Sequence, residues 1–347
     1  MARVTARGSL ADLRREITIA GGGLAGLSLA AGLLRHEVHV TVLEAGSYPR
    51  HRVCGEFISG VGEETLQALG IAPLLADARR HRTLGWYEGG RLIHEDCFET
   101  PALGISRYRL DERLRDLVTT RGGTVRTAVR SRPEPREGLV WAAGKRPCKG
   151  PWIGLKAHVR NLPQAADLEM HAGTNGYAGL VGVEDGWTNV CGLFRLDRAI
   201  RGDLLPAYLE AGGNQPLATA LRAAEWREGS FSAVAGFELG RQTSVPGLLA
   251  LGDAESLIPP FTGNGMSMAF QAAECAVAPL VAWARGSQSW QVAANATRAA
   301  LRRKFQRRLA VAAALHPVLL AAGGRSLLQS LSTAGMLPFR PMLALIR

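Results

Sequence analysis

The stretch Ile17-Thr-Ile-Ala-Gly21-Gly-Gly23-Leu-Ala-Gly26-Leu-Ser-Leu-Ala-Ala31 restricts what this chain can fold into more than any other. Apolar, strand-type residues lead in, glycines follow at Gly-x-Gly-x-x-Gly spacing, and an alanine-rich helix leads out. A second apolar strand, 38–43, ends in Glu44, 18 residues beyond Gly26. Each part has a mechanical purpose in a turn that grips a pyrophosphate. Gly21 permits a tight turn, Gly23 lets the backbone approach the phosphates, and Gly26 lets helix and sheet pack closely. The helix N-terminus adds N–H groups and positive potential, and Glu44 is placed to accept hydrogen bonds from an adenosine ribose. The pattern predicts a βαβ unit over 16–44 and a dinucleotide cofactor.

A second constellation lies far along the chain, in Leu249-Ala-Leu-Gly252-Asp253 and Pro259-Pro260-Phe-Thr-Gly263-Asn264-Gly265-Met266. An apolar strand delivers Asp253, whose carboxylate suits a ribityl hydroxyl. Pro259 and Pro260 stiffen the chain, while Gly263 and Gly265 let it run close beside a planar ring. A helix starting near Asn264 would aim free N–H groups at that ring. At the carbonyl edge of an isoalloxazine, the same dipole would stabilise negative charge on the reduced form. The plainer alternative is a Gly/Pro turn before an ordinary buried helix.

Between these motifs the pattern predicts a helix over 61–69 closed by Gly70, a short helix over 73–84, and strands within 83–97 turning at Glu88-Gly-Gly90. A helix over 109–120 follows, then strands at 124–129 and 139–144. Alternation in 153–159, 179–183 and 189–194 reads as a small antiparallel sheet. Residues 197–224 read as partly helical, and 229–238 as a strand returning to the cofactor domain. Beyond 263 the chain reads as helical, broken at Gly286, Pro317, Gly323-Gly324 and Pro338. The resulting expectation is an α/β protein: a discontinuous cofactor domain (16–82, 101–150, 240–285), a substrate domain (83–100, 151–239) and a helical C-terminal region (286–347).

Composition narrows the partners. The 347 residues are 47% hydrophobic and 20% charged, as in a folded protein. The net charge of +11 would suit nucleic acid, anionic lipid or a phosphorylated cofactor. No zinc-finger spacing or aromatic-interleaved basic patch accompanies it, so nucleic acid is not expected. The five cysteines and eight histidines form no metal-ligand set, and the odd, widely spaced cysteines suit a reducing compartment. Residues 1–15 read as a basic leader without the apolar core of a secretion signal. A cytoplasmic protein is expected. Arg298, Arg302, Arg303, Lys304, Arg307 and Arg308 precede the apolar run 309–315, a pattern open to weak peripheral membrane contact or to a solvated helix face.

Together these residues resemble the FAD-dependent family that includes single-component aromatic hydroxylases and geranylgeranyl-reductase-like enzymes. The resemblance covers roughly 16–285 and rests on Gly21–Gly26, Glu44, Arg107-x-x-Leu110-Asp111, and Gly252-Asp253 with Pro260-x-x-Gly263-x-Gly265. It implies a glutathione-reductase-type, Rossmann-like FAD domain interleaved with the smaller sheet domain. Glu44 would hold the adenosine ribose, Asp253 the ribityl or pyrophosphate end, and Gly263 to Met266 the flavin. Arg107 would lie near the cofactor, or be a surface charge.

Cys54-Gly55-Glu56, and Gly176-Tyr177 followed by Asn189-Val190, resemble segments of the reductase-like branch. Cys54 would orient substrate, donate a proton or line the pocket; Glu56 would be an acid, an ion-pair partner or a cap. One departure stands out. Where the family carries Asp-Gly after the strand near Gly144, this chain has Lys145-Arg146-Pro147, cations suited to a phosphate of FAD or of NADH or NADPH, or to solvent. The resemblance implies an oxidoreductase acting on a hydrophobic prenyl, polyketide or polycyclic molecule, with hydride transfer through flavin N5 as the leading reading. Oxygen insertion by a monooxygenase is the alternative, and a non-catalytic flavin-binding protein is a third.

Overall fold

Apolar runs that alternate with helices assemble one parallel sheet. Its strands run in the order Leu249–Ala250, Leu139–Trp141, Ile17–Ala20, Val40–Leu43 and Thr124–Arg126, every neighbour parallel. The computed structural model describes residues 15–145, 148–242 and 245–346; the basic leader, except Arg15, and Arg146 and Pro147 lie outside them. Ile17, Ile19 and Val42 have no exposed surface, as expected of strands covered on both faces. The helix Leu24–Leu34 is buried along nearly its whole length. This explains why its sequence is apolar all round rather than striped. It packs between the helices Arg107–Thr120 and Gly265–Ala284. The approach is closest at Gly26, where a Cβ would fall 2.0 Å from the carbonyl oxygen of Gly21.

The second sheet is larger than its sequence suggests. It runs Glu225–Trp226, Trp152–Arg160, Thr188–Arg195, Gly176–Gly182, Leu168–Ala172, Arg79–Glu88, Arg91–Gly104, Phe57–Ile58. The pairing is antiparallel except between Arg79–Glu88 and Leu168–Ala172, so the sheet is mixed. The short helix expected over 73–84 is confined to a single 3-10 turn, Ala72–Leu75. From Arg79 the chain is a strand, because it pairs with Arg91–Gly104 and, from Leu84, also with Leu168–Ala172, which outweighs local preference. The segment Ser232–Phe237 does not return to the cofactor sheet; it pairs with Trp152–Arg160. Helices Leu204–Ala211 and Gln215–Ala223 cover this sheet's outer face with Leu205, Leu209 and Leu221.

The C-terminal region is helical, with breaks placed differently from the sequence reading. Pro317 lies within the last turn of Trp290–Leu320, and Gly323-Gly324 lie within the first turn of Ala322–Thr333. The chain turns at Ala321, whose ψ of 135° is extended, and the two helices meet at a 98° bend. A Cβ at Gly324 would fall 2.0 Å from the carbonyl oxygen of Val318, so glycine there serves close packing rather than a break. Among the described residues one helix, Gly265–Ala284, is long and apolar enough to cross a membrane, and 61% of that window is buried inside the protein. The basic run ahead of Leu309 is divided in use. Arg298 donates to the carbonyls of Gly247 and Leu248, Lys304 pairs with Glu274, and Arg308 is buried against Gln271. Arg302, Arg303 and Arg307 remain exposed.

Candidate active site

A cavity of about 1130 Å³ lies between the two sheets. It brings together residues that the sequence separates by more than 200 positions. Gly21, Gly23, Glu44, Cys54, Glu56 and Arg107 border it from the first part of the chain. Gly252, Asp253, Pro260, Gly263, Gly265 and Met266 border it from the last part. Gly26 and Asn264 stand behind this wall. Gly26 serves helix–sheet contact, and the buried Asn264 side chain accepts from Ser59 and donates to the carbonyl of Ile346.

At one end, Glu44 is buried with its oxygens accepting from the backbone N–H of Gly22 at 2.8 Å and of Gly46 at 2.9 Å. Arg52 approaches to 3.4 Å and Arg50 to 3.8 Å. Burial works against the charged carboxylate, but Arg52 and the two backbone donors outweigh it, so its pKa falls below 4.5. A lowered carboxylate pKa contributes stability that is fully present above the unfolded value and is lost as pH falls through the folded one. Acidification below pH 4.5 is therefore expected to destabilise the protein in part through Glu44. Thermal melts at stepped pH would show a shallower acid limb in Glu44→Gln. Gly23 faces open space: a Cβ there would meet nothing nearer than Arg107 Nη2 at 3.6 Å. The backbone beside the helix N-terminus is thus left bare for a ligand to approach.

Arg107 is anchored rather than free. Its guanidinium grips Asp111 through two bonds of 2.7 and 2.9 Å, and Arg52 adds a third at 2.8 Å. Burial opposes its charge, and Asp111 more than compensates, holding the pKa above the usual arginine range. Asp253 opens onto the cavity with protein enclosing it on the other sides. That enclosure raises its carboxyl pKa, opposed by Lys145 and Arg107. Lys145, which stands where the family acid was expected, sits 4.0 Å from the centre of the Phe237 ring.

The Cys54-Gly55-Glu56 segment is fastened to the second sheet. Asn189, wholly buried, donates to the carbonyls of Cys54 at 3.0 Å and Gly55 at 2.9 Å. Glu56 adopts a φ of +54°, which turns its side chain into the protein. There it accepts from the N–H of Arg107 at 2.9 Å, lies 2.5 Å from His158 Nε2, and lies 3.4 Å from Lys156 Nζ. Glu56, Lys156 and His158 all have no exposed surface. Burial pushes the Glu56 pKa up, but His158, Lys156 and the Arg107 N–H outweigh it, leaving a carboxylate. The thiols go the other way: burial raises Cys54, and raises Cys191 to about 12. At neutral pH both are thiols, so Cys54 can donate a hydrogen bond but is no thiolate nucleophile.

Away from these polar groups the cavity is apolar. Leu84, Trp86, Phe98 and Tyr177 face it from the second sheet, while Val318, Leu319, Leu328 and Phe339 close it from the C-terminal helices. Elsewhere in this half of the molecule, His171 bonds Glu169 and stacks on Tyr87. Phe194 packs on Tyr208, and Trp187 faces Arg160.

A long cleft with a bare glycine backbone at one end, a buried carboxylate beside it, and a second glycine loop from the far part of the chain along the same cavity suits one extended cofactor. Residues 16–77 match the family model described as pyridine nucleotide-disulphide oxidoreductase. The p-nitrophenol 4-monooxygenase PnpA of Pseudomonas putida superposes with a TM-score of 0.76 at 14% identity, covering 96% of this chain and 97% of that one. The chain has the FAD-binding oxidoreductase fold. Hydroxylases and geranylgeranyl-reductase-like proteins share this fold. Among curated proteins, menaquinone reductase of Mycobacterium tuberculosis is 29% identical over 115 residues, 32% of this chain and 28% of that protein. The 3-amino-4-hydroxybenzoate 2-monooxygenase PtmB3 of Streptomyces platensis is 32% identical over 139 residues, 36% and 35% of the two chains. The matched segments thus span about a third or less of these curated relatives.

Glycines of both motifs border this one cavity. Sequence reasoning missed Lys156 and His51. A lysine within the alternating stretch 153–159 was the available signal for Lys156; His51 carried none.

Proposed function

We propose that this chain is an FAD-dependent monooxygenase that inserts oxygen into a hydrophobic, aromatic or polyketide-like molecule. The single observation that carries the reading is the apolar chamber continuous with the cofactor cleft. Bound FAD would supply the two-electron chemistry and, once reduced by NADH or NADPH, reactivity toward oxygen. Gly23 and the neighbouring helix N-terminus would receive the diphosphate, Glu44 the adenosine ribose, Asp253 the ribityl chain, and Gly263 to Met266 the ring. The side chains from Leu84 to Tyr177 and the C-terminal helices would orient the substrate and exclude water, which guards a reactive oxygen species from wasteful loss. The full-length likeness to PnpA favours this reading over others.

A second reading, hydride transfer through flavin N5 to a prenyl or quinone-like substrate, is favoured by the menaquinone reductase alignment and the Cys54-Gly55-Glu56 segment. One experiment separates them. FAD-loaded protein would be given NADH or NADPH and candidate aromatic or prenylated compounds, with and without oxygen. The expected product gains one oxygen atom and forms only aerobically. A product that instead gains two hydrogen atoms without oxygen would overturn oxygen insertion in favour of hydride transfer. Protein that stays colourless and takes up no FAD would defeat both.

A further inference from the structure

The buried cluster around Glu56 contains one partner more than an ion pair needs. Lys156 lies mid-way along the Trp152–Arg160 strand, opposite Cys191, with no exposed surface. Glu56 at 3.4 Å already supplies its counter-charge. Yet Nζ also lies 2.9 Å from Nδ1 of His51, a half-buried residue on the cavity wall. An ammonium only donates. Nδ1 must therefore accept, and the neutral ring carries its proton on Nε2, the nitrogen that Lys156 does not engage. Tyr108 stacks on the His51 ring with centroids 4.6 Å apart, and His158 meets it edge-on at 4.9 Å, which fixes its orientation.

The charges around this pair act consistently. His51 is faced by Lys156 and His158 from the strand, Glu56 from its own segment, and Arg227 from beyond the Trp226 edge. Burial, then Lys156, lowers its pKa to about 3, so the ring is neutral. Lys156 is faced by Glu56, Cys54 and Cys191; burial lowers its pKa while Glu56 opposes. A buried lysine gives up its proton more readily than an exposed one.

We propose that Lys156 is the proton reservoir of the cavity and that His51 relays protons between the Lys156 ammonium and the reacting groups. When a group in the cavity takes the proton from Nε2, Nδ1 takes one from Lys156, which becomes a neutral amine. Water reaching the cavity restores it by the reverse path. Within the relay only N–H bonds break and form; the cavity group keeps the proton it takes, water supplies the replacement and leaves as hydroxide, and no electrons are transferred. The purpose of the relay rests on the oxidoreductase reading, since oxygen insertion and hydride transfer each need a proton moved.

The test needs neither substrate nor turnover, so its outcome is independent of whether the proposed reaction is correct. The chain has only four lysines, at 145, 149, 156 and 304, so lysine-selective ¹³C and ¹⁵N NMR of the FAD-loaded protein gives a sparse spectrum. Lys156 is identified by the signal lost in Lys156→Arg. It is expected to titrate at lower pH than Lys149 and Lys304. Its ammonium protons are expected to exchange with water roughly tenfold more slowly in His51→Phe, which keeps the stack but has no relay nitrogen. His51→Gln serves as the second variant should the phenylalanine protein misfold, with circular dichroism as the control. Titration alongside the surface lysines, or exchange unchanged in the His51 variant, would overturn the proposal and leave a plain buried ion pair.

Discussion

Glu56→Ala is expected to destabilise the protein by about 3–5 kcal/mol, because it strands buried charge rather than merely removing a contact. Lys156 and His158 would remain without exposed surface and without their carboxylate, and the Arg107 N–H would lose its acceptor. Lys156 would respond by shedding its proton, so the loss should deepen as pH falls and the amine is forced to charge. Urea unfolding of Glu56→Ala and Glu56→Gln at several pH values checks this. The glutamine keeps the shape and an acceptor, so it should lie between the alanine and the parent. A Glu56→Ala protein as stable as the parent would mean that solvent enters the cluster.

The second large effect separates two glycines of one motif. Gly23→Val is expected to leave the fold intact, since the nearest atom to an added Cβ is Arg107 Nη2 at 3.6 Å. It should nevertheless weaken FAD binding about a hundredfold or more, about 2.7 kcal/mol, by filling the space the diphosphate would take. Gly26→Val is expected to fail earlier, in folding. Its Cβ would fall 2.0 Å from the Gly21 carbonyl oxygen and 3.2 Å from the Ile19 side chain, and the Gly21 backbone cannot retreat without parting helix from sheet. FAD titration by fluorescence, paired with thermal melts, distinguishes lost affinity from lost structure. Equal losses of both in the two variants would remove the case for Gly23 as a phosphate cradle.

The cofactor half was legible because its requirements are local. A strand, a turn that tolerates only glycine, a helix and a following acid are contiguous in sequence, and the parallel sheet follows from their order. The second sheet was only partly legible. Alternation marked its central strands and the turn at Glu88-Gly-Gly90, but the start of the Arg79–Glu88 strand owes its form to Ala102, Leu103 and Gly104, which lie beyond any local window. The breaks at Gly323-Gly324 failed for a similar reason: glycine there serves contact with Val318, and contact has no sequence period. The polar cluster was hidden most deeply. Glu56 was singled out beside Cys54, whereas Lys156 and His51 acquire meaning only when a strand 100 residues away is laid against that segment.

The bond from Asn264 to the Ile346 carbonyl fastens the roof of the chamber to the turn between Gly263 and Gly265. Because Ser59 holds the same amide from its other side, three distant stretches share one bolt. A bulky guest that pries the terminal helices apart must strain the very bend on which the redox ring would rest. On the proposed function, admission of a guest would thereby be coupled to the seat of the ring.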